Sequence, residues 1–158
     1  MKKIKLTKGQ EAIVDDNDFE TLKSVSWCVV NGTNSLYAGR NEKTDDRFRT
    51  VLMHRVILEA KRGDIVDHKN GNTLDNRKKN LRFCSPAQSV CNRGMMKNNT
   101  SGFVGAIFNK RLGKFESRIS LNGKSHYLGI FETAEAAGQA HARVAKRLHG
   151  KFANISTK

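Results

Sequence analysis

Val66-Asp67-His68, then Lys69-Asn70-Gly71-Asn72-Thr73-Leu74-Asp75-Asn76-Arg77-Lys78-Lys79, then Asn80-Leu81-Arg82-Phe83-Cys84, closing with Ser85-Pro86-Ala87-Gln88-Ser89-Val90-Cys91-Asn92-Arg93: the organisation of the chain turns on this stretch. A short apolar strand ends in an adjacent carboxylate and imidazole. A loop rich in Asn, Gly and Asp follows, with Asn70-Gly71 as its turn signal. A second strand then leads into a helix whose start is well specified. Ser85 is a suitable N-cap, Pro86 fits the first helical position, and Gln88 stands where a capping-box partner belongs.

The Asp67-His68 pair, Asn80-Leu81 at twelve and thirteen residues after His68, and the capped helix resemble together the ββα-metal core of HNH endonucleases. The likeness is closest to homing endonucleases of phage and bacteria. It implies His68 as general base, Asp67 as a metal ligand, and Asn80 as the residue that supports the loop and orients the imidazole. The last ligand of the family, usually His or Asn in the first turn of the helix, falls on Ser89. A hydroxyl is a poor ligand for a divalent cation, and Asn92, one turn on along the same face, is the alternative donor.

The chemistry of these side chains agrees with the resemblance. Phosphodiester hydrolysis needs a water deprotonated near neutral pH and a cation to neutralise charge on the phosphate. Imidazole has the pKa for that base, and a carboxylate is a hard oxygen ligand suited to Mg2+ or Mn2+. Successive strand residues point to opposite faces, so Asp67 and His68 share a site only at a strand end that bends into the loop. Met53-His54-Arg55 resembles the His-Arg that precedes the motif in the family. His54 is either a second active-site group or a packed imidazole, and Arg55 is a phosphate candidate, as is Arg77.

Composition narrows the function classes. The 158 residues suit one ordinary domain or a few small modules, and 37% apolar content favours several small cores over one large one. The net charge is +14 and unevenly placed: residues 1–60 carry 10 basic and 9 acidic side chains, residues 97–158 carry 11 and 3. A basic C-terminal part points to a polyanion, double-stranded DNA above all, rather than to a membrane. The three cysteines, Cys28, Cys84 and Cys91, include no Cys-x-x-Cys, so neither a disulfide framework nor a structural zinc is expected. Met1-Lys2-Lys3-Ile4 has no signal-peptide run, which makes a reducing cytoplasm, that of a bacterium or a phage-infected host, the expected compartment.

Residues 1–52 read as a bracing segment. Two short strands flank Lys8-Gly9, Asp15 to Asp18 cap a helix from Phe19 to Val25, and Trp27–Val30 and Leu36–Ala38 are strands around Asn31-Gly32. Residues 41–46 read as a polar loop, Arg47–Met53 as strand and His54–Ala60 as helix. Residues 53–96 are expected, from the resemblance, to form the nuclease core.

Residues 97–158 read as three strands, Phe103–Asn109, Lys114–Leu121 and Ser125–Ile130, and a helix from Thr133 to His149 stopped by Gly150. The turns are Lys110–Gly113 and Asn122-Gly123. Ser101-Gly102-Phe103-Val104-Gly105, Gly113-Lys114-Phe115, Tyr127-Leu128-Gly129-Ile130-Phe131 and Thr133-Ala134-Glu135-Ala136-Ala137 make this part similar to the APETALA/ethylene-response-factor type of DNA-binding domain. Phe115 stands where Trp is usual, and Ile107 and Asn109 stand where Arg is frequent, so a sequence preference does not transfer. Ser117, Ile119 and Leu121 are expected to face the helix, and Lys114, Glu116, Arg118 and Ser120 the groove, with Tyr127 beside them. Lys110, Arg111, Lys114 and Lys124 are phosphate candidates and Arg118 the base-edge candidate. The whole is expected to be α+β: a ββα-metal core joined to a three-stranded antiparallel sheet packed on one helix. The expected protein is a site-preferring, metal-dependent DNA endonuclease, monomeric or weakly dimeric. The alternative is a DNA-binding protein with a degenerate core; an RNA-binding module lacks an evident stacking platform.

Overall fold

The computed structural model describes residues 1–33, 35–44, 47–95, 98–121 and 123–155. Asp45 and Asp46 of the expected loop, Lys97 at the start of the expected DNA-binding part and Asn122 of the last hairpin turn lie outside the described residues. The chain is α+β and divides into two compact units, Met1–Cys84 and Ser85–Lys158.

In the first unit β1 (Lys2–Lys5) and β2 (Glu11–Val14) pair antiparallel across a 3-10 turn at Thr7–Gly9, where Lys8 takes a positive φ of 59°. Helix α1 (Asp16–Lys23) follows. A meander of β3 (Cys28–Asn31), β4 (Leu36–Lys43) and β5 (Phe48–Leu52) comes next, then α2 (Met53–Ile57) and the hairpin of β6 (Ile65–His68) and β7 (Leu81–Cys84). One side chain or more from β1, β2, α1, β4, α2 and β7 meets in one core: Ile4, Ala12, Val14, Leu22, Ala38, Met53, Ile57 and Leu81, with Trp27 beside them. The indole N–H of Trp27 donates to the Leu22 carbonyl at 2.8 Å, which satisfies its polar edge inside that core.

Two expectations are corrected here. Residues 41–43 are not loop: β4 runs to Lys43 and pairs with β5, because Glu42 bridges Arg40 on its own strand and Arg49 across the ladder, so a polar stretch is held as strand by cross-strand charge. Asp15 stands at the N-cap of α1 but makes no side-chain cap bond; its carboxylate accepts from the backbone N–H of Lys78 at 2.8 Å. Lys78 in turn reaches Asp18 at 2.8 Å, so the acidic run clamps the loop after β6.

In the second unit α3 (Pro86–Cys91) begins with a full capping box, Ser85 accepting from the Gln88 N–H and Gln88 from the Ser85 N–H. Strands β8 (Ala106–Asn109), β9 (Lys114–Leu121) and β10 (Lys124–Phe131) form an antiparallel sheet with β9 central. A bulge at Leu128 separates the Tyr127–Arg118 and Gly129–Ser117 pairs. Helix α4 (Ala134–His149), capped by Thr133 and ended at Gly150, packs on the sheet through Ala137, Gly138, Ala140, His141 and Ala145. Small residues are required there: a Cβ on Gly138 would come within 2.7 Å of Phe103. The first strand starts at Ala106 instead of Phe103, because Gly102 and Gly105 at φ of 78° and 77° turn the chain before it. Ser117 and Ile119 are buried and Arg118 and Ser120 exposed, the alternation read from the sequence. Among the described residues no helix is long and apolar enough to cross a membrane.

Met53 is fully buried at the meeting point of α2 and the core. Met53→Ala should cost the first unit about 2–5 kcal/mol, read as a lower denaturation midpoint by Trp27 fluorescence.

Candidate active site

The twelve residues between β6 and β7 form a long polar loop that satisfies itself. Gly71, at φ 73°, turns the chain and donates its N–H to the His68 carbonyl at 2.9 Å. Asn70 Oδ1 accepts from the Asn72 N–H and Asn72 Oδ1 from the Leu74 N–H, two successive Asx turns. Asp75, 2% exposed, receives Arg77 through two nitrogens, Nε to Oδ1 at 2.7 Å and Nη2 to Oδ2 at 2.6 Å, and the Asn70 amide at 2.9 Å. The Arg77 hydrogen bonds hold the Asp75 carboxyl below its ordinary value against the opposing effect of burial. Asn80 closes the loop: its Oδ1 accepts from the Asn70 N–H at 3.0 Å and its Nδ2 donates to the Asp75 carbonyl at 2.8 Å.

His68 is 4% exposed. The β6–β7 ladder stays regular through the His68–Leu81 pair, so the pleat turns the Asp67 and His68 side chains away from each other. The expected bend comes after His68. Asp67 is opposite Arg82, whose Nε donates to Oδ2 at 2.7 Å with Nη2 2.6 Å from the same oxygen. The His68 ring meets the His54 ring edge to face at a centroid distance of 5.1 Å, with Tyr37 at 6.3 Å. Its Nε2 lies 3.4 Å from Oδ1 of Asn76, a fully buried side chain that sequence reasoning did not single out. Burial pushes the His68 imidazole below its ordinary value, with the Asn76 bond and the Asp67 and Asp75 charges opposing. His54 is buried too, and desolvation, with the neighbouring His68 and Arg55 charges, lowers it to about 3. Both rings are therefore neutral near pH 7, and His54 Nδ1 is buried with no hydrogen-bond partner among the described residues.

The remaining sequence candidates divide by how they are held. Arg55 donates to the Asp64 and Lys61 carbonyls at 2.6 and 2.7 Å, and Arg77 pairs with Asp75. Ser89 is half-buried in α3. Asn92 ends that helix, buried, its carbonyl accepting from the Asn154 amide at 3.0 Å. On the sheet, Tyr127 is 54% exposed with the Arg118 guanidinium 5.7 Å from its ring. Arg118 also pairs with Glu116 at 3.0 Å, and Lys114 with Glu132 at 2.6 Å. Ser120, Lys110, Arg111 and Lys124 are exposed.

Among the described residues no three His, Cys, Asp or Glu side chains gather to cage a metal. A Mg2+ that keeps most of its waters needs fewer, one or two carboxylates completed by substrate phosphate. Asp67 is a carboxylate of the type such a cation takes, with its Oδ2 held by Arg82 here.

The HNH endonuclease family profile matches residues 51–90, which run from β5 through the loop into α3. The chain belongs to the HNH endonuclease family. It is 30% identical to Protein 3.8 of Escherichia phage T7 over 113 residues, 68% of this chain and 93% of that protein. It is also 30% identical to Uncharacterized HNH endonuclease L560 of Acanthamoeba polyphaga mimivirus over 104 residues, 65% of this chain and 53% of that protein. A 60-residue stretch, 38% of this chain, is 40% identical to the AP2-like ethylene-responsive transcription factor TOE2 of Arabidopsis thaliana and spans 12% of it. No solved structure matches the chain.

The neutral burial of His54 has a signed consequence. Its folded pKa of about 3 lies below 6.5, so the unfolded chain binds the proton first as pH falls. Stability is full above about pH 6.5 and declines from there towards pH 3, by up to about 1.4 kcal/mol per pH unit. Denaturant melts of His54→Phe should show a shallower acid decline than wild type, by about 2 kcal/mol between pH 6.5 and 5.

Proposed function

We propose that the protein is a site-preferring, metal-dependent DNA endonuclease of the homing type, with the β6 end and the loop behind it as its catalytic centre. The observation that carries this reading is His68, a neutral imidazole at the motif position, fixed by a self-satisfied loop. A neutral ring can accept a proton from water, and a ring held by its neighbours accepts it in one place. His68 is the general base, and Asn80 holds the loop that carries it.

By the family resemblance Asp67 would hold Mg2+ or Mn2+, and to share the scissile phosphate with His68 its side chain would have to leave Arg82 and turn from the opposite face of the ladder. When bound, the cation neutralises charge on the scissile phosphate and leaving oxygen. Arg82 holds that carboxylate, with Nη2 2.6 Å from Oδ2.

The sheet of the second unit is the proposed DNA-binding face, an ethylene-response-factor type of domain. Three twisted strands suit a major groove, and α4 covers the opposite side. Arg118 and Tyr127 stand on the exposed face, with Ser120 and Lys114, while Lys110, Arg111 and Lys124 lie at its turns and strand ends. Several phosphate contacts of this kind make binding salt-dependent.

A second reading keeps the DNA-binding face and denies the cutting. Ser89 favours it, because the helix position that carries His or Asn in the family holds a hydroxyl here.

Supercoiled plasmid incubated with Mg2+ or Mn2+, with and without EDTA, separates the two. We expect metal-dependent nicking; retarded but uncut DNA would establish the binder. His68→Ala should lower the cleavage rate by about 10²–10⁴-fold and leave DNA affinity within a factor of two or so. Loss of both together would remove His68 from the role of base. Arg118→Ala should weaken DNA binding by about 1–3 kcal/mol without changing the rate of cutting at saturation.

A further inference from the structure

We propose that Ile107 and Ile130 are specificity-determining residues of the exposed sheet face, reading the C5-methyl group of thymine in the major groove. The proposal rests on the reading of that face as the DNA-binding one and adds the base that it selects.

The ladder puts the two side chains in one row. Ile107 on β8 and Ile130 on β10 both pair with Glu116 on β9, and directly paired residues share a face of the sheet. That face is the one turned away from α4, because Ser117 and Ile119, the alternate residues of β9, are buried. The bulge at Leu128 is what brings Ile130 there. Tyr127 pairs with Arg118 on the exposed face, and an unbroken strand would turn Ile130, three residues on, to the opposite one. Ile107 is 53% exposed and Ile130 42%, with the Tyr127 ring in the next row. Three apolar side chains are thus gathered on the side of the sheet that has no core to fill, the mark of a face with a partner.

The surroundings say what that partner is. Lys110 and Arg111 lie at the turn before β9 and Lys124 at the turn after it, all exposed, so cations stand at both ends of the strand with the apolar row between them. The carboxylate of that row is offset within the face: Glu116 accepts from the Asn109 amide at 2.6 Å and pairs with Arg118 at 3.0 Å. The complementary surface is anionic at its rims and apolar at its centre. Duplex DNA has that form, with phosphates flanking the major groove and the thymine methyl as the apolar group on its floor. Phosphate contacts fix the position of the sheet, and contacts to base edges choose the sequence. Burying one methyl against an isoleucine raises affinity about fourfold. Unlike the phosphate contacts, this gain does not depend on salt.

The probe is a pool of duplexes with a randomised centre, prepared with thymidine or with deoxyuridine, which pairs alike and lacks only the methyl. Full-length protein is used in EDTA, so that binding is read without cutting, and the retarded duplexes are sequenced. The thymidine pool should enrich sites with thymine at a fixed position. Deoxyuridine at that position should weaken binding about fourfold, by the same factor at low and high salt. Ile107→Ser should bring the two duplexes closer in affinity, Ile107→Val should still tell them apart, and the double variant Ile107→Ser/Ile130→Ser should bind them alike. Enriched sites without a common thymine, or a preference for thymine that survives in the double variant, overturn the proposal and leave the DNA-binding reading standing. A protein that retards no duplex removes that reading and the proposal with it. A dimer of the free protein in sedimentation equilibrium that Ile107→Ser dissociates assigns the row to a second copy of the chain and also overturns it.

Discussion

Asp75 is a carboxylate buried in the middle of a loop, and the first unit is arranged around keeping it satisfied. Arg77 meets it with two nitrogens, Asn70 with its amide, and the Asn80 side chain takes the carbonyl of the same residue. A buried charge is tolerable only with partners of this number and geometry. Each partner is thereby fixed as well: Asn80 ties the two ends of the loop, and Asn76, the next residue along, is held where it meets His68. The twelve-residue loop is ordered by this polar knot and not by an apolar core, of which Leu74 is its share.

The knot also explains the N-terminal segment. β2 forms a bridge from Ile13 to Asp75, and Asp15 and Asp18 hold Lys78 through its backbone and side chain. Leu81 at the start of β7 lies in the same core as Ile4, Val14 and Trp27. A short hairpin alone is marginal in water. Here its loop and one strand are built into a larger unit, and the imidazole inherits that rigidity. The brace acts through hydrogen bonds to three residues of the loop, Leu74, Asn76 and Lys78.

What was legible in the sequence follows from how local its cause was. The capping box at Ser85 and Gln88, the turn at Asn70-Gly71, the alternation on β9 and the small-residue face of α4 are set by neighbours in the chain, and each is present. Three features with distant causes were not. The strand character of residues 41–43 depends on Arg49 across the ladder. The carboxylate of Asp15 goes to a backbone 63 residues away instead of to its own helix. Asn76 is placed by Ile13, while the motif directed attention to Asn80. A signal existed, since Asp75-Asn76-Arg77 is a run of polar groups in a loop too long to be ordered by turns alone, but nothing in one dimension says which amide meets the ring.

Charge counting misleads in the same way. Arg55 and Arg77 add to the net charge, yet one closes the loop after α2 and the other neutralises Asp75. Arg82 is likewise engaged by Asp67. Lys110, Arg111 and Lys124, by contrast, are exposed on the second unit. On the proposed reading this division has a physical logic. A centre with one carboxylate attracts a cation weakly, because hard divalent ions gain affinity from ligand charge and number. The phosphate of the substrate then has to complete the coordination, so residence of the metal follows residence of the DNA. A separate basic face that grips the duplex is what such a centre needs, and the burden of affinity moves from the loop that does the chemistry to the sheet that holds the strand.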